Sequence, residues 1–465
     1  MGLRSWLGRV LMSTWFREVD VVDADNVPSD RGSIIVSWHP GGIFDRMLLN
    51  TKIEGQVPFD GLIDDRAELE IVARSVADGG NVVVFPEGDS HDNPRVEQIR
   101  SCSARLAMRA REISPDNPPV IIPLGIHYSK KHQFRERVAL VFDRPVEVRE
   151  NDTVEGLTDL IKAEMNRASH SRSNWEDRKL IWKARGIIHA ERARRDPGLK
   201  ARQSFGESVL GARRVRAAWE WLATEKPEKC KDIENDIRGH LSRIESLGLH
   251  PTDLDSRPES VSAKGFLTSI WWWGFAWSFM LGFVTWSAII GSLAPYLCVI
   301  TADRIAFKKL KNESRRGTMK LYTAMALYPL WWLFAAWIMT WFITNDASPL
   351  NRFSDFGVIL PFLFSLPVWF IYPLMLWWLP VAARLQLKLY ARGVRAWREL
   401  GMWRRWRQSD FDWDKLCTSQ KVIASRLVAI GDGLILPGDK EWTEPGIGID
   451  DHDAILLRNT SNSTL

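Results

Sequence analysis

Hydrophobic and polar positions change rhythm several times along the chain. Between Val19 and Met165 short β-branched runs recur: Ser33–Ser37 (SIIVS), Asn81–Phe85 (NVVVF), Val120–Pro123 (VIIP) and Ala139–Phe142 (ALVF). Such runs read as buried strands. Between them, Ala67–Asp78 and Val96–Ile113 repeat apolar residues at helical spacing. The alternation predicts an α/β domain over residues 19–168, a sheet covered by helices. Ahead of it, in residues 1–18, Leu3, Trp6, Leu7, Val10 and Leu11 share one helical face, with Arg4 and Arg9 off it. That pattern suits an amphipathic helix in a membrane interface; a helix packed on its own domain is the alternative. No cleavable signal peptide is expected, because Met1–Val19 has no unbroken apolar core with a small-residue cleavage site.

Residues 169–264 are polar, rich in Arg and Lys, and helical in period, with scattered apolar points such as Trp182, Ile187, Val209 and Trp219. Their basic face is either solvated or laid on anionic headgroups. The character then changes over residues 265–384. Phe266–Ile300, Leu321–Thr344 and Phe356–Ala383 are 35, 24 and 28 residues long and carry no charge. A spanning helix needs about 20 such residues, so a C-terminal α-helical transmembrane region follows. Helices are expected at 321–344 and 356–383. At 1.5 Å per residue Phe266–Ile300 would be about 52 Å long, too much for one pass. A tight or re-entrant hairpin at 266–300, bending near Gly282 or Gly291, is the expectation. The pairs Trp331–Trp332 and Trp377–Trp378 fit segment ends, where indoles are favoured.

Charge sets the orientation. Ala302–Lys320 is read as a loop with seven Lys/Arg and Arg384–Arg407 carries eight, whereas Asn345–Asp355 carries only Arg352. Basic segments stay on the cytoplasmic side, which predicts an integral membrane protein with a cytoplasmic catalytic domain and a cytoplasmic basic helix and tail at 385–465. Composition adds little else. The net charge of +5 is mild, and the four cysteines lie far apart with no C-x-x-C pair, against a zinc ribbon or redox motif. No metal-ligand cluster is apparent. Nucleic acid is not an expected partner, because the basic runs flank apolar spans and no such binding motif is visible.

Three blocks at the ends of the predicted strands carry candidate chemistry. In Ser37-Trp38-His39-Pro40-Gly41-Gly42-Ile43-Phe44-Asp45 a histidine leaves a strand and an acid follows. One imidazole nitrogen can take a hydroxyl proton while the other donates to the carboxylate. In Phe85-Pro86-Glu87-Gly88-Asp89-Ser90-His91-Asp92 a buried strand runs into a turn that presents an acid. The third block is Ile121-Ile122-Pro123-Leu124-Gly125-Ile126, followed by a basic run (Lys130, Lys131, Arg135, Arg137) beside His127 and His132. That run is either a solvated face or a contact for coenzyme A phosphates or the membrane.

Together the blocks resemble the glycerophospholipid acyltransferase family, closest to the fungal-type glycerol-3-phosphate/dihydroxyacetone-phosphate acyltransferases. The likeness lies in five residues between His39 and Asp45, the F-P-E-G-x-S-H-D box at 85–92, the I-P strand, and apolar segments after the domain. It implies a membrane-bound glycerol-3-phosphate O-acyltransferase of phospholipid synthesis. His39 would be the general base, Asp45 its orienting partner, and Glu87 and Gly88 would shape the acceptor site. Arg66, ending Gly61-Leu62-Ile63-Asp64-Asp65-Arg66, would bind the acceptor phosphate. The partners implied are the lipid bilayer, an acyl thioester donor, and glycerol 3-phosphate or lysophosphatidic acid. No cofactor is implied beyond acyl-CoA or acyl-carrier protein as co-substrate. Position 44 is Phe where the commoner four-residue spacing would put the acid, and the stretch from His39 to Arg66 is short for the family. The alternatives are a 1-acylglycerol-3-phosphate acyltransferase and a catalytically lapsed membrane lipid-binding scaffold.

Overall fold

The computed structural model describes residues 3–53, 66–172, 174–196, 203–249, 284–310, 313–345, 366–407 and 412–458, with a few isolated positions between them. The chain forms two compact units. One comprises Met1–Asp255, Asn312–Gly317 and Asp414–Leu465; the other comprises Ser256–Lys311 and Thr318–Trp413.

The first unit is built on a six-stranded mixed sheet: β1 (Glu18–Val22), β2 (Ser33–Ser37), β3 (Asn81–Val84), β4 (Val120–Tyr128), β5 (Arg137–Phe142) and β6 (Val146–Glu147). Its order is β1-β5-β4-β2-β3, with β6 paired to β4. β2 runs parallel to both β3 and β4, β5 is antiparallel to β4, and β1 is parallel to β5. Central β2 is buried at every position, which is why its sequence is a β-branched run without alternation. The helices are α1 (Leu3–Trp15), α2 (Ile43–Lys52), α3 (Arg66–Ala77), α4 (Cys102–Ile113) and α5 (Val154–Ala168). The core joins Ile34, Val36, Val82, Val84 and Ile121 of the sheet to Val76, Leu106 and Ile161 of the helices.

Two local departures have clear causes. The helix expected from Val96 starts only at Cys102. The intervening backbone donates elsewhere: Glu97 N–H to Glu87 Oε1 (2.7 Å) and Arg100 N–H to the Pro86 carbonyl (2.9 Å). Val96 and Ile99 still enter the core. The third predicted strand also runs on to Tyr128, because Leu124–Tyr128 pair with β5.

The basic middle segment forms α6 (Trp175–Arg195), α7 (Phe205–Glu225) and α8 (Pro227–Ser246). Edge strand β1 spends its acids on α7, where Glu18 and Asp20 accept from Phe205 N–H (2.5 Å) and Gly206 N–H (2.6 Å) at the helix start. Leu180, Ala217, Ile233 and Ile237 of these helices share a core with Ile423, Leu434 and Ile455. Residues 414–458 are thus part of this unit, within helix α12 (Trp413–Asp432), the β7–β8 pair (Leu434–Ile435, Leu456–Leu457) and the segment between them.

Among the described residues, three helices are long and apolar enough to cross a membrane, Thr285–Lys309, Arg315–Thr344 and Val368–Ala391, and they lie mostly in the second unit. They belong to α9 (Thr285–Leu310), α10 (Glu313–Thr344) and α11 (Val368–Arg407). Three expectations need correction. A hairpin bend at Gly291 is excluded, because Gly291 lies inside α9; the alternative bend at Gly282 falls outside the described residues. The reason for glycine at 291 is close packing: a Cβ there would sit 2.8 Å from Leu379 Cδ2. The basic stretch Ala302–Lys320 is not an open loop either. Ala302–Leu310 and Glu313–Lys320 are helical, and Asp303 pairs with Lys320 at 3.0 Å.

Trp331 and Trp332 do not mark a segment end. Pro295 lacks an N–H, so the carbonyl of Gly291, four residues earlier, loses its helical donor. Trp332 Nε1–H donates to that carbonyl at 3.0 Å, and Trp331 Nε1–H donates to the Ile290 carbonyl at 2.6 Å. Trp332→Phe leaves the Gly291 carbonyl unpaired in an apolar surround and is expected to destabilise the helix bundle by about 1–2 kcal/mol. A lower thermal midpoint of the detergent-solubilised protein reads this; an unchanged midpoint would refute the repair.

Candidate active site

β2 ends at Ser37, and the chain turns through Trp38–Gly42 into α2. Two bonds fix this turn on β4: Ser37 Oγ–H donates to the Leu124 carbonyl (2.9 Å) and Trp38 Nε1–H to the Ile126 carbonyl (3.1 Å). Gly42 has φ +63° and ψ −131°, a backbone shape reserved for glycine. That sharp entry puts Asp45 in the first turn of α2, folded back on His39. His39 Nδ1 and Asp45 Oδ2 are 2.8 Å apart, and the same oxygen accepts from Gly41 N–H at 2.7 Å. Asp45 is fully buried and His39 is 6% exposed. A carboxylate facing Nδ1 holds the proton there, so Nε2 carries the lone pair. The five-residue spacing therefore does bring acid and imidazole together.

β3 delivers the second block beside the first. The His39 ring stacks on Phe85, with centroids 4.3 Å apart. After a turn closed by Gly88 N–H to the Phe85 carbonyl (3.0 Å), with Gly88 at φ +86°, Glu87 faces back toward the histidine. Both its oxygens are occupied. Oε2 accepts from His39 N–H (3.3 Å); Oε1 accepts from Glu97 N–H and meets His91 Nε2, each at 2.7 Å. Burial alone would lower the His91 pKa, but the bond and charge of Glu87, with Glu97 close by, outweigh it and hold the imidazole above its ordinary value.

Sequence reasoning missed Tyr128. It ends β4, 83 positions from Asp45, and its O–H donates to Asp45 Oδ1 at 2.5 Å. Burial and then the adjacent Asp45 charge push the phenol pKa upward.

Arg66 is the first residue of α3 and is exposed. Among the described residues, no hydrogen bond joins it to the His39 cluster. α3 ends against the start of β2, where Ser33 N–H donates to the Gly80 carbonyl (3.2 Å). The helix therefore runs back over the sheet, and its first residue lies toward the end where β2 and β3 finish. The rest of the block at 61–65 lies outside the described residues.

Three cations of the basic run have partners within the protein, while Lys130 and Arg135 are exposed. Lys131 Nζ pairs with Asp92 at 2.5 Å, Arg135 donates to the Ser13 carbonyl (3.2 Å), and Arg137 lies 4.9 Å over the Phe205 ring. His127 points into the core and donates Nε2–H to the Ala168 carbonyl (3.1 Å); burial and nearby Arg178 push its pKa down to about 3.

No family model matches the chain. Glycerol-3-phosphate O-acyltransferase 2 of Saccharomyces cerevisiae is 33% identical over 86 residues, 18% of this chain and 12% of that protein. Glycerol-3-phosphate O-acyltransferase 1 of the same yeast is 22% identical over 322 residues, 63% of this chain and 40% of that protein. Segments of the chain are similar to glycerol-3-phosphate O-acyltransferases. An uncharacterized acyltransferase of Schizosaccharomyces pombe is 27% identical over 110 residues, 21% of this chain and 16% of that protein. The resemblance seen in the motifs thus extends to whole segments, although the chain spans well under half the length of each of these acyltransferases. Among solved structures, the 1-acyl-sn-glycerophosphate acyltransferase PlsC from Thermotoga maritima covers 36% of this chain and 77% of its own, at 19% identity and a TM-score of 0.29.

Proposed function

We propose that this chain is a membrane-bound glycerol-3-phosphate O-acyltransferase that moves an acyl group from a thioester to a glycerol hydroxyl. The observation that carries the reading is the buried His39–Asp45 pair at 2.8 Å, at the ends of the parallel strands β2 and β3. His39 Nε2 takes the hydroxyl proton as the oxygen attacks the thioester carbonyl. The tetrahedral intermediate collapses with cleavage of the C–S bond, and the imidazolium returns its proton to the departing thiolate. Asp45 holds the ring and balances the transient positive charge. No acyl-enzyme is needed, since the thioester is already activated. Aligning hydroxyl and carbonyl supplies much of the rate, up to about 7–11 kcal/mol of barrier.

Glu87 and Gly88 hold the turn on which the His39 backbone rests, so they shape the acceptor site through position. Arg66, at the start of α3, is our candidate for the acceptor phosphate, which its planar fork suits. Membrane residence serves an amphiphilic product. That Met1–Asp255 and Asp414–Leu465 fold into one unit supports our reading that the intervening chain crosses the bilayer an even number of times. The basic flanks put that unit in the cytoplasm.

Membranes containing the protein, supplied with radiolabelled acyl-CoA, are expected to acylate glycerol 3-phosphate when it is tested beside dihydroxyacetone phosphate and lysophosphatidic acid. Incorporation from lysophosphatidic acid alone would replace this reading with the 1-acylglycerol-3-phosphate acyltransferase, and no incorporation from any acceptor would favour a lapsed scaffold.

A further inference from the structure

Asp45 is the most enclosed carboxylate of the site, and His39 accounts for only part of its bonding. Oδ2 meets His39 Nδ1 (2.8 Å) and accepts from Gly41 N–H (2.7 Å); Oδ1 accepts from Tyr128 O–H (2.5 Å). The tyrosine reaches in from β4, steadied by the Phe16 ring 5.9 Å away. Residue 41 has to be glycine for this contact, because a Cβ there would lie 2.5 Å from both Asp45 Oδ1 and Tyr128 Oη. A phenol donating to a carboxylate spreads its negative charge and weakens its pull on the proton shared with the imidazole.

We propose that Tyr128 is a positioning residue which, by holding and partly neutralising Asp45, sets the basicity of His39. This rests on the acyltransferase reading and deepens it: the catalytic pair becomes a Tyr128–Asp45–His39 relay drawn from β4, α2 and the end of β2. The other titratable groups at this cluster are Glu87, which accepts from the His39 backbone, and His91 bonded to Glu87. The Glu87 oxygens are bonded to His39 N–H, Glu97 N–H and His91. A merely structural tyrosine would affect stability and leave the titration of His39 where it was.

The test is Tyr128→Phe, which keeps the ring and removes the donor. With Oδ1 deprived of it, the carboxylate attracts the imidazolium more strongly, so His39 titrates higher. The acid limb of kcat/KM should move up by about one pH unit. At neutral pH kcat should fall by up to about tenfold, the most that a one-unit shift allows, while KM for both substrates stays within about twofold. A second readout needs no turnover: carbethoxylation of His39 against pH, followed by mass spectrometry of the full-length protein in membranes, should show the same upward shift. Replacing Tyr128 by 3-fluorotyrosine, near-isosteric and a stronger donor, should move the titration the opposite way and serves if Tyr128→Phe folds poorly. Titration curves of both variants that overlay the wild type would overturn the proposal. A wild type with no acyl transfer would instead sink the acyltransferase reading, and the carbethoxylation curves would still decide on Tyr128.

Discussion

Arg167→Met is expected to destabilise the unit that carries the candidate active site by about 3–5 kcal/mol, as loss of one partner from a buried ion pair does. Arg167 is 2% exposed, near the end of α5. Its guanidinium donates to Asp143 Oδ1 at 2.7 Å, lies 3.4 Å from Glu164 Oε2, and reaches Asp451 at 3.6 Å. Asp451 is held in turn by two bonds of 2.8 Å from Arg213 of α7, and Glu164 Oε1 accepts Gly448 N–H at 2.7 Å. Removing the arginine strands acids that the sheet, α5, α7 and the C-terminal segment share. A fall in the thermal midpoint of detergent-solubilised protein checks this, and Arg167→Met with Glu164→Gln should recover part of the loss, because it removes both charges. A single variant as stable as wild type would mean that the C-terminal segment is not anchored here.

This network shows where sequence reading ran out. Residues 413–432 do repeat apolar positions at helical spacing (Trp413, Leu416, Ile423, Leu427, Ile430), a signal that the reading of 385–465 as a basic helix and tail passed over, whereas 433–458 are polar to mixed. Their order comes from partners more than 200 positions away, such as Arg213 with Asp451. Tyr128 was hidden for the same reason, a single side chain at a strand end with no local pattern to mark it. The strands themselves were legible: the run SIIVS gave β2 its bounds because burial on both faces leaves only β-branched residues. His39, Asp45 and the Glu87 turn could also be read, since a glycine-hinged strand-to-helix turn brings His39 and Asp45 together locally. Gly291 and the tandem tryptophans were read by rule as bend and interface markers. Packing against Leu379 and a carbonyl freed by Pro295 explain them instead. The late start of α4 escaped because the backbone of 97–100 donates to the Glu87 turn, a choice that helical periodicity cannot register.

His39→Ala should lower acyl transfer by roughly 10²–10⁴-fold, the span typical of a positioned general base. The ring's single described side-chain hydrogen bond is to Asp45, and its face rests on Phe85, so its removal takes away the base without cutting the ties that Ser37, Trp38 and Glu87 make to the turn. KM for the acceptor should change little, because binding then survives while proton transfer is lost. The decisive measurement is the initial rate of radiolabelled acyl transfer to glycerol 3-phosphate by wild-type and His39→Ala protein in matched membranes, at equal amounts of folded protein and saturating donor. The account predicts transfer by the wild type and a variant rate at least about a hundredfold lower; equal rates would contradict it.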